Sequence, residues 1–143
     1  MLMDYFVNDI EEMINLNENI GIFKQICDSC YSISLTNFWI VKYSETYKKR
    51  INKLSINGLK IVEVDINVMN FKKINKSKLM GLCLGSVSTI YQAKKDKSCV
   101  ITSNKTVYSA CKKLSVNVIS TFDFIQMYAH IKNIRINNKL KIV

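Results

Sequence analysis

At 143 residues and 48% apolar content, the chain is long enough to bury one hydrophobic core and too apolar to be a disordered tail. Its formal charge of +10 is unevenly split: residues 1–45 hold seven acids and two lysines (−5), whereas residues 46–143 hold nineteen bases and four acids (+15). No apolar run approaches the roughly 20 residues that span a bilayer, and the acidic start lacks the basic head of a secretion signal, which predicts a cytoplasmic protein without membrane contact.

In chain order, Met1–Val7 reads as a first strand. Asn8 follows as an N-cap for a helix through Ile10, Met13, Ile14 and Leu16, with Asp9, Glu11 and Glu12 in its first turn. A second helix is expected over Ile20–Cys27 and a strand over Tyr31–Leu35. Thr36 then caps a longer helix through Phe38, Trp39, Val41, Tyr43 and Tyr47, which runs into the basic cluster Lys48, Lys49, Arg50, Lys53. Leu59–Val64 is the next strand. In the C-terminal half the alternation is clearest: helix Gly85–Lys95, strand Ser98–Thr102, helix Asn104–Leu114, strand Val116–Ser120, and a helix capped by Thr121 through Phe122, Ile125 and Tyr128. Ile134–Val143 reads as a terminal hairpin or edge strand.

Strands alternating with helices of about ten residues predict a single α/β domain over 1–143, with a parallel sheet of about four to five strands flanked by helices. No proline and only four glycines interrupt it, so no linker is marked. In such sheets the carboxyl ends of the strands carry the ligand site. The reading places those ends at Asp4–Tyr5, Leu35–Thr36 and Ser103–Asn104, with Gly85–Ser86 opening a helix nearby.

Three segments carry a resemblance: Gly85-Ser86-Val87-Ser88-Thr89-Ile90-Tyr91-Gln92-Ala93-Lys94, then Cys99-Val100-Ile101-Thr102-Ser103-Asn104-Lys105, then Ala110-Cys111-Lys112-Lys113-Leu114-Ser115-Val116-Asn117-Val118-Ile119-Ser120-Thr121. Their succession resembles the C-terminal half of PIN-domain proteins, in which a Gly-acid pair opens a helix, a strand ends in Thr-acid-acid-Lys, and a helix, a short strand and a Thr follow. The resemblance implies a nuclease-type fold that holds Mg²⁺ or Mn²⁺ with acids at the strand ends. Carried over residue by residue, Asp4 falls at the family's first aspartate, as weak catalytic and metal candidate. The second acid is expected near Trp39–Val41, where none stands; Glu45, a turn later, is the nearest candidate. The remaining acidic positions fall on Ser86, with Ser88 two residues on, and on Ser103 and Asn104, neutral groups that read as vacated ligand positions.

Function follows as ranked expectations. The first is a catalytically impaired PIN-like module that binds RNA through Lys48, Lys49, Arg50, Lys94, Lys95, Lys112 and Lys113, with no cofactor. The second is a toxin-like, divalent-metal-dependent ribonuclease using a rearranged set such as Asp4, Glu45 and Asp123, with Mg or Mn. The third is a protein-interaction subunit or homodimer, in a toxin–antitoxin-like setting, whose acidic 1–45 segment meets a basic partner.

Other features have plainer readings. Cys27 and Cys30 have the spacing of half a zinc site, but no second pair completes it, and the five cysteines make no disulfide framework. His130 sits late in the last helix, where a cation meets the negative helix end. The aromatic residues Phe38, Trp39, Tyr43 and Tyr47 fit a core face better than a base-stacking surface.

Overall fold

The computed structural model describes residues 3–19, 21, 23–29, 32–41 and 45–131, without the side chains of 129–131. Five strands form one sheet: β1 (Asp4–Val7), β2 (Ser32–Thr36), β3 (Leu59–Val62), β4 (Cys99–Ile101) and β5 (Asn117–Ile119). The helices are α1 (Ile10–Asn19), α2 (Phe23–Ser29), α3 (Asn37–Ile40), α4 (Glu45–Ile56), α5 (Asn67–Ile74), α6 (Leu84–Asp96), α7 (Lys105–Lys113) and α8 (Thr121–Ile131). All neighbouring strands are parallel, in the order β3-β2-β1-β4-β5.

The short apolar strands suit this arrangement because helices cover both faces, so residues of either parity are buried. Tyr5, Val7, Ile33, Leu35, Leu59, Cys99 and Ile101 point into one core with Met13, Ile14, Leu16, Ile51, Leu54 and Phe124. Phe6 and Val100 point into the other, against Val68, Leu79, Val87, Ile90, Val107 and Cys111. Tyr5 stacks edge-on against Phe124, their ring centroids 4.9 Å apart, which ties α8 to the centre of the sheet.

Several expectations need correction. β1 starts at Asp4 and ends at Val7, so Asp4 lies at the amino end of the strand, and the carboxyl end is Val7 with Asn8 and Asp9 beyond it. Asn8 does not cap α1, because its Oδ1 accepts no hydrogen bond. The long helix expected after Thr36 is two helices, α3 and α4, and Lys48, Lys49, Arg50 and Lys53 lie inside α4 rather than after it. Helix α5, which has no counterpart in the sequence reading, buries only Val68. Ile134–Val143, Cys30, Tyr43 and the side chain of His130 lie outside the described residues.

Two glycines hold tight junctions. Gly58 turns α4 into β3 at φ +125°, and a Cβ there would lie 2.8 Å from Cys27 Cβ. In α6, a Cβ on Gly85 would come within 2.8 Å of three ring atoms of Trp39.

Candidate functional site

The chain runs from β1 outward to β2 and β3, then returns to lay β4 on the other side of β1. That reversal leaves a crevice at the carboxyl ends of β1 and β4, where open α/β sheets bind ligands. A cleft of about 380 Å³ lies there, lined by Asn8, Asp9, Glu11 and Glu12 after β1, Trp39 after β2, Ser86 at the start of α6, and Ser103 and Asn104 after β4.

Each group in the cleft is fixed by its neighbours. Asn8 is buried, and its Nδ2 donates to Asp9 Oδ1 at 2.8 Å and to Thr102 Oγ1 at 3.3 Å. Asp9 Oδ2 accepts from Thr102 Oγ1 at 2.9 Å and from the backbone N–H of Ser103. Glu12 accepts from Ser103 Oγ on both oxygens, at 2.8 and 2.9 Å, and from Thr121 Oγ1 at 2.8 Å. Burial raises the Glu12 carboxyl above its ordinary range, and the charge of Asp9 acts in the same direction, against the two hydroxyl donors. Asn104 Oδ1 caps α7 through the N–H groups of Thr106 and Val107 at 2.9 and 3.1 Å.

The sequence-predicted residues divide. Ser86, Ser103 and Asn104 meet in the cleft, as placed by the strand-end argument. Asp4 does not join them: it faces Ser32 across the start of the sheet, accepting that hydroxyl at 2.8 Å, about 13 Å of strand from Asn8. Glu45 is an exposed residue at the start of α4, 3.5 Å from Lys48, and Asp123 is an exposed residue of α8 whose N–H donates to Ser120 Oγ. None of the three lines the cleft. Sequence reasoning missed Asn8, Asp9 and Glu12 as site residues, although a strand ending at Val7 in a parallel sheet points to Asn8 and Asp9 by itself.

The donor set fits a divalent cation poorly. A carboxylate offers about four acceptor sites; hydrogen bonds within the chain bring three donor protons to Asp9 and two to Glu12, the Ser103 proton being shared between both of its oxygens, and Glu11, the third lining carboxylate, is exposed. Asn8 adds one neutral buried oxygen without a partner. Among the described residues no group of three or more His, Cys, Asp or Glu side chains is arranged to hold a metal ion.

The basic residues also divide. Arg50 makes a two-pronged pair with Glu18 at 2.6 and 2.7 Å, and Lys95 pairs with Asp65 at 2.7 Å. Lys94 Nζ donates to the Leu114 carbonyl at 2.8 Å, and Lys112 lies 5.7 Å from the Tyr108 ring centroid. Lys49 and Lys113 are exposed. No helix among the described residues is long and apolar enough to cross a membrane.

These strand ends and this topology define a PIN-like fold, and solved structures agree. The chain is similar to a PilT N-terminus domain protein, SSO1118, from the hyperthermophilic archaeon Sulfolobus solfataricus P2, with a TM-score of 0.57 and 16% identity, covering 88% of this chain and 93% of that one. It is similar also to PAE2754 from Pyrobaculum aerophilum, with a TM-score of 0.62 and 12% identity, covering 91% and 99% of the two chains. No protein-family model and no curated protein matches the sequence.

Proposed function

We propose that this chain is a PIN-like module that binds RNA through its basic half and does not cleave it by a metal-assisted route. The observation that carries the reading is the state of the cleft carboxylates. Asp9 and Glu12 are both held by hydroxyl and amide donors from the ends of β4 and α8, and an amide, Asn8, stands at the end of β1. A two-metal clamp on a scissile phosphate needs several carboxylates free to ligate, and beside these two held acids the lining offers one more, the exposed Glu11. What the module retains is charge: no Asp or Glu lies between Asp65 and Asp96 or between Asp96 and Asp123, where ten lysines fall.

The test is a single-stranded RNA incubated with the protein in millimolar Mn²⁺. Salt-sensitive binding with the RNA left intact is expected. Robust cleavage that Asp9→Asn abolishes would overturn the reading and favour the ribonuclease alternative. A protein-interaction role draws on a different observation: Ile66, Met69, Ile74 and Met80 are 87%, 51%, 81% and 73% exposed around α5. Absence of RNA binding at low salt would favour that role.

A further inference from the structure

A groove of about 440 Å³ lies between the segment after α5 and the outer face of α7, away from the cleft. One wall is α7 itself, where Lys105, Ser109 and Lys113 recur at i, i+4 and i+8 and therefore share a face, with Thr106 beside them. Eight residues of helix put Lys105 and Lys113 about 12 Å apart along the axis. The facing wall contributes Ser77 and Lys78.

This cationic surface differs from those around Arg50 and Lys95. Arg50 and Lys95 are matched by carboxylates, but no carboxylate lines the groove or pairs with Lys78, Lys105 or Lys113 among the described residues. Three like charges around one depression repel each other, and an anion seated there relieves that repulsion. Exposed hydroxyls on Ser77, Thr106 and Ser109 add neutral donors between the charges. A row of charges about 12 Å long suits a linear polyanion better than a single phosphate.

The groove also adjoins the cleft in the chain. Ser103 and Asn104 line the cleft, and the next two residues, Lys105 and Thr106, line the groove. We infer that the α7 groove is a track for one phosphodiester strand, which its lysines hold by the backbone. This rests on the reading of the chain as a nucleic-acid-binding module and assigns that binding to Lys78, Lys105 and Lys113 around one groove.

The experiment is fluorescence anisotropy with a labelled oligouridylate and, separately, an oligothymidylate of the same length, titrated at salt from roughly 50 to 200 mM. The variant Lys105→Gln, Lys113→Gln is compared with Lys24→Gln, Lys60→Gln, which removes the same charge at exposed sites on α2 and β3. For single strands each lost contact lowers the slope of log K against log salt by about 0.7. The groove variant should therefore lose about 1.4 in slope, so that its deficit against wild type grows about sevenfold from the high to the low end of that salt range. Adding Lys78→Gln should remove about 0.7 more, while the control keeps the wild-type slope. Because all these side chains are exposed, melting temperatures should match wild type. Equal response on both strands assigns the track to the shared phosphodiester, and response on the ribo-strand alone assigns it to RNA. Equal loss in groove and control variants overturns the track while leaving RNA binding intact; wild type that binds neither strand at low salt overturns both.

Discussion

Replacing Gly85 by alanine tests how the cleft floor is built. The added methyl would sit 2.8 Å from Trp39 Cδ2, Cε2 and Cε3, where ordinary contact begins at 3.4 Å, so ring or helix must move by 0.6 Å or more. The ring cannot swing freely, because Trp39 is buried and its Nε1 donates to Thr89 Oγ1 at 2.9 Å. Overpacking of this kind costs about 1–3 kcal/mol, and a weakened hydrogen bond about 1 more. The helix preference for alanine over glycine offsets up to about 1 kcal/mol. The net loss of about 1–3 kcal/mol corresponds to a melting temperature lower by about 3–10 °C for a chain of this size. Thermal melts followed by circular dichroism and by fluorescence of the single tryptophan should both report it. In a Trp39→Phe background the penalty should shrink, because the bulk that meets the methyl is gone. A Gly85→Ala protein as stable as wild type, or an equal penalty in both backgrounds, refutes the contact as the cause.

Three other outcomes are expected. Asn8→Asp removes the amide donor to Asp9 and adds a fourth cleft carboxylate beside Asp9, Glu11 and Glu12, so melting temperature should fall without metal and recover with Mn²⁺, by the equivalent of about 2.7 kcal/mol at one hundred times Kd; no metal-dependent shift would show that these groups do not converge. Because burial first, and then Asp9, raise the Glu12 carboxyl, its charged form opposes folding above the folded pKa, and that opposition fades as pH falls through it towards the ordinary glutamate range. Glu12→Gln should therefore gain in melting temperature relative to wild type between acid and neutral pH, and the opposite trend would refute the assignment. Burial pushes the Cys99 thiol up to about 11 and Cys111 up to about 12, so alkylation of the native protein near pH 8, mapped by mass spectrometry, should leave both unmodified until unfolding.

The C-terminal half was legible because its buried residues recur at the expected spacing, although Thr121, expected as a cap, lies inside α8 and Ser120 Oγ accepts the Asp123 N–H in its place. Val100, Val107, Ala110 and Cys111 are fully buried or nearly so at the expected spacing, and Asn104 caps its helix through its own side chain. Helix α5 was not legible because its apolar residues do not mark a buried face: Met69 and Ile74 are exposed, and its interior rests on Val68. The cleft was half legible. Ser86, Ser103 and Asn104 follow from where β4 ends and α6 begins, whereas Asp4, matched to the family's first aspartate, stands at the amino end of β1. Glu12 is a surface helix acid by pattern, and only the hydroxyls of Ser103 and Thr121, distant in sequence, make it part of a site.

The central place of β1 also governs when the molecule can come into being. Strand β1, made before the other four strands of this sheet, needs β4 as a neighbour, and the Asn8 amide meets the Thr102 hydroxyl across a separation of 94 residues. Until Cys99–Ile101 has been made, a nascent chain holding β1, β2 and β3 keeps one edge of β1 unpaired and its apolar residues open to association. Closure of such a distant pairing carries a large loop entropy, which slows folding relative to helical proteins of similar length. A fragment ending before β4 would therefore lack both the cleft and a capped sheet, whatever the quality of its local helices.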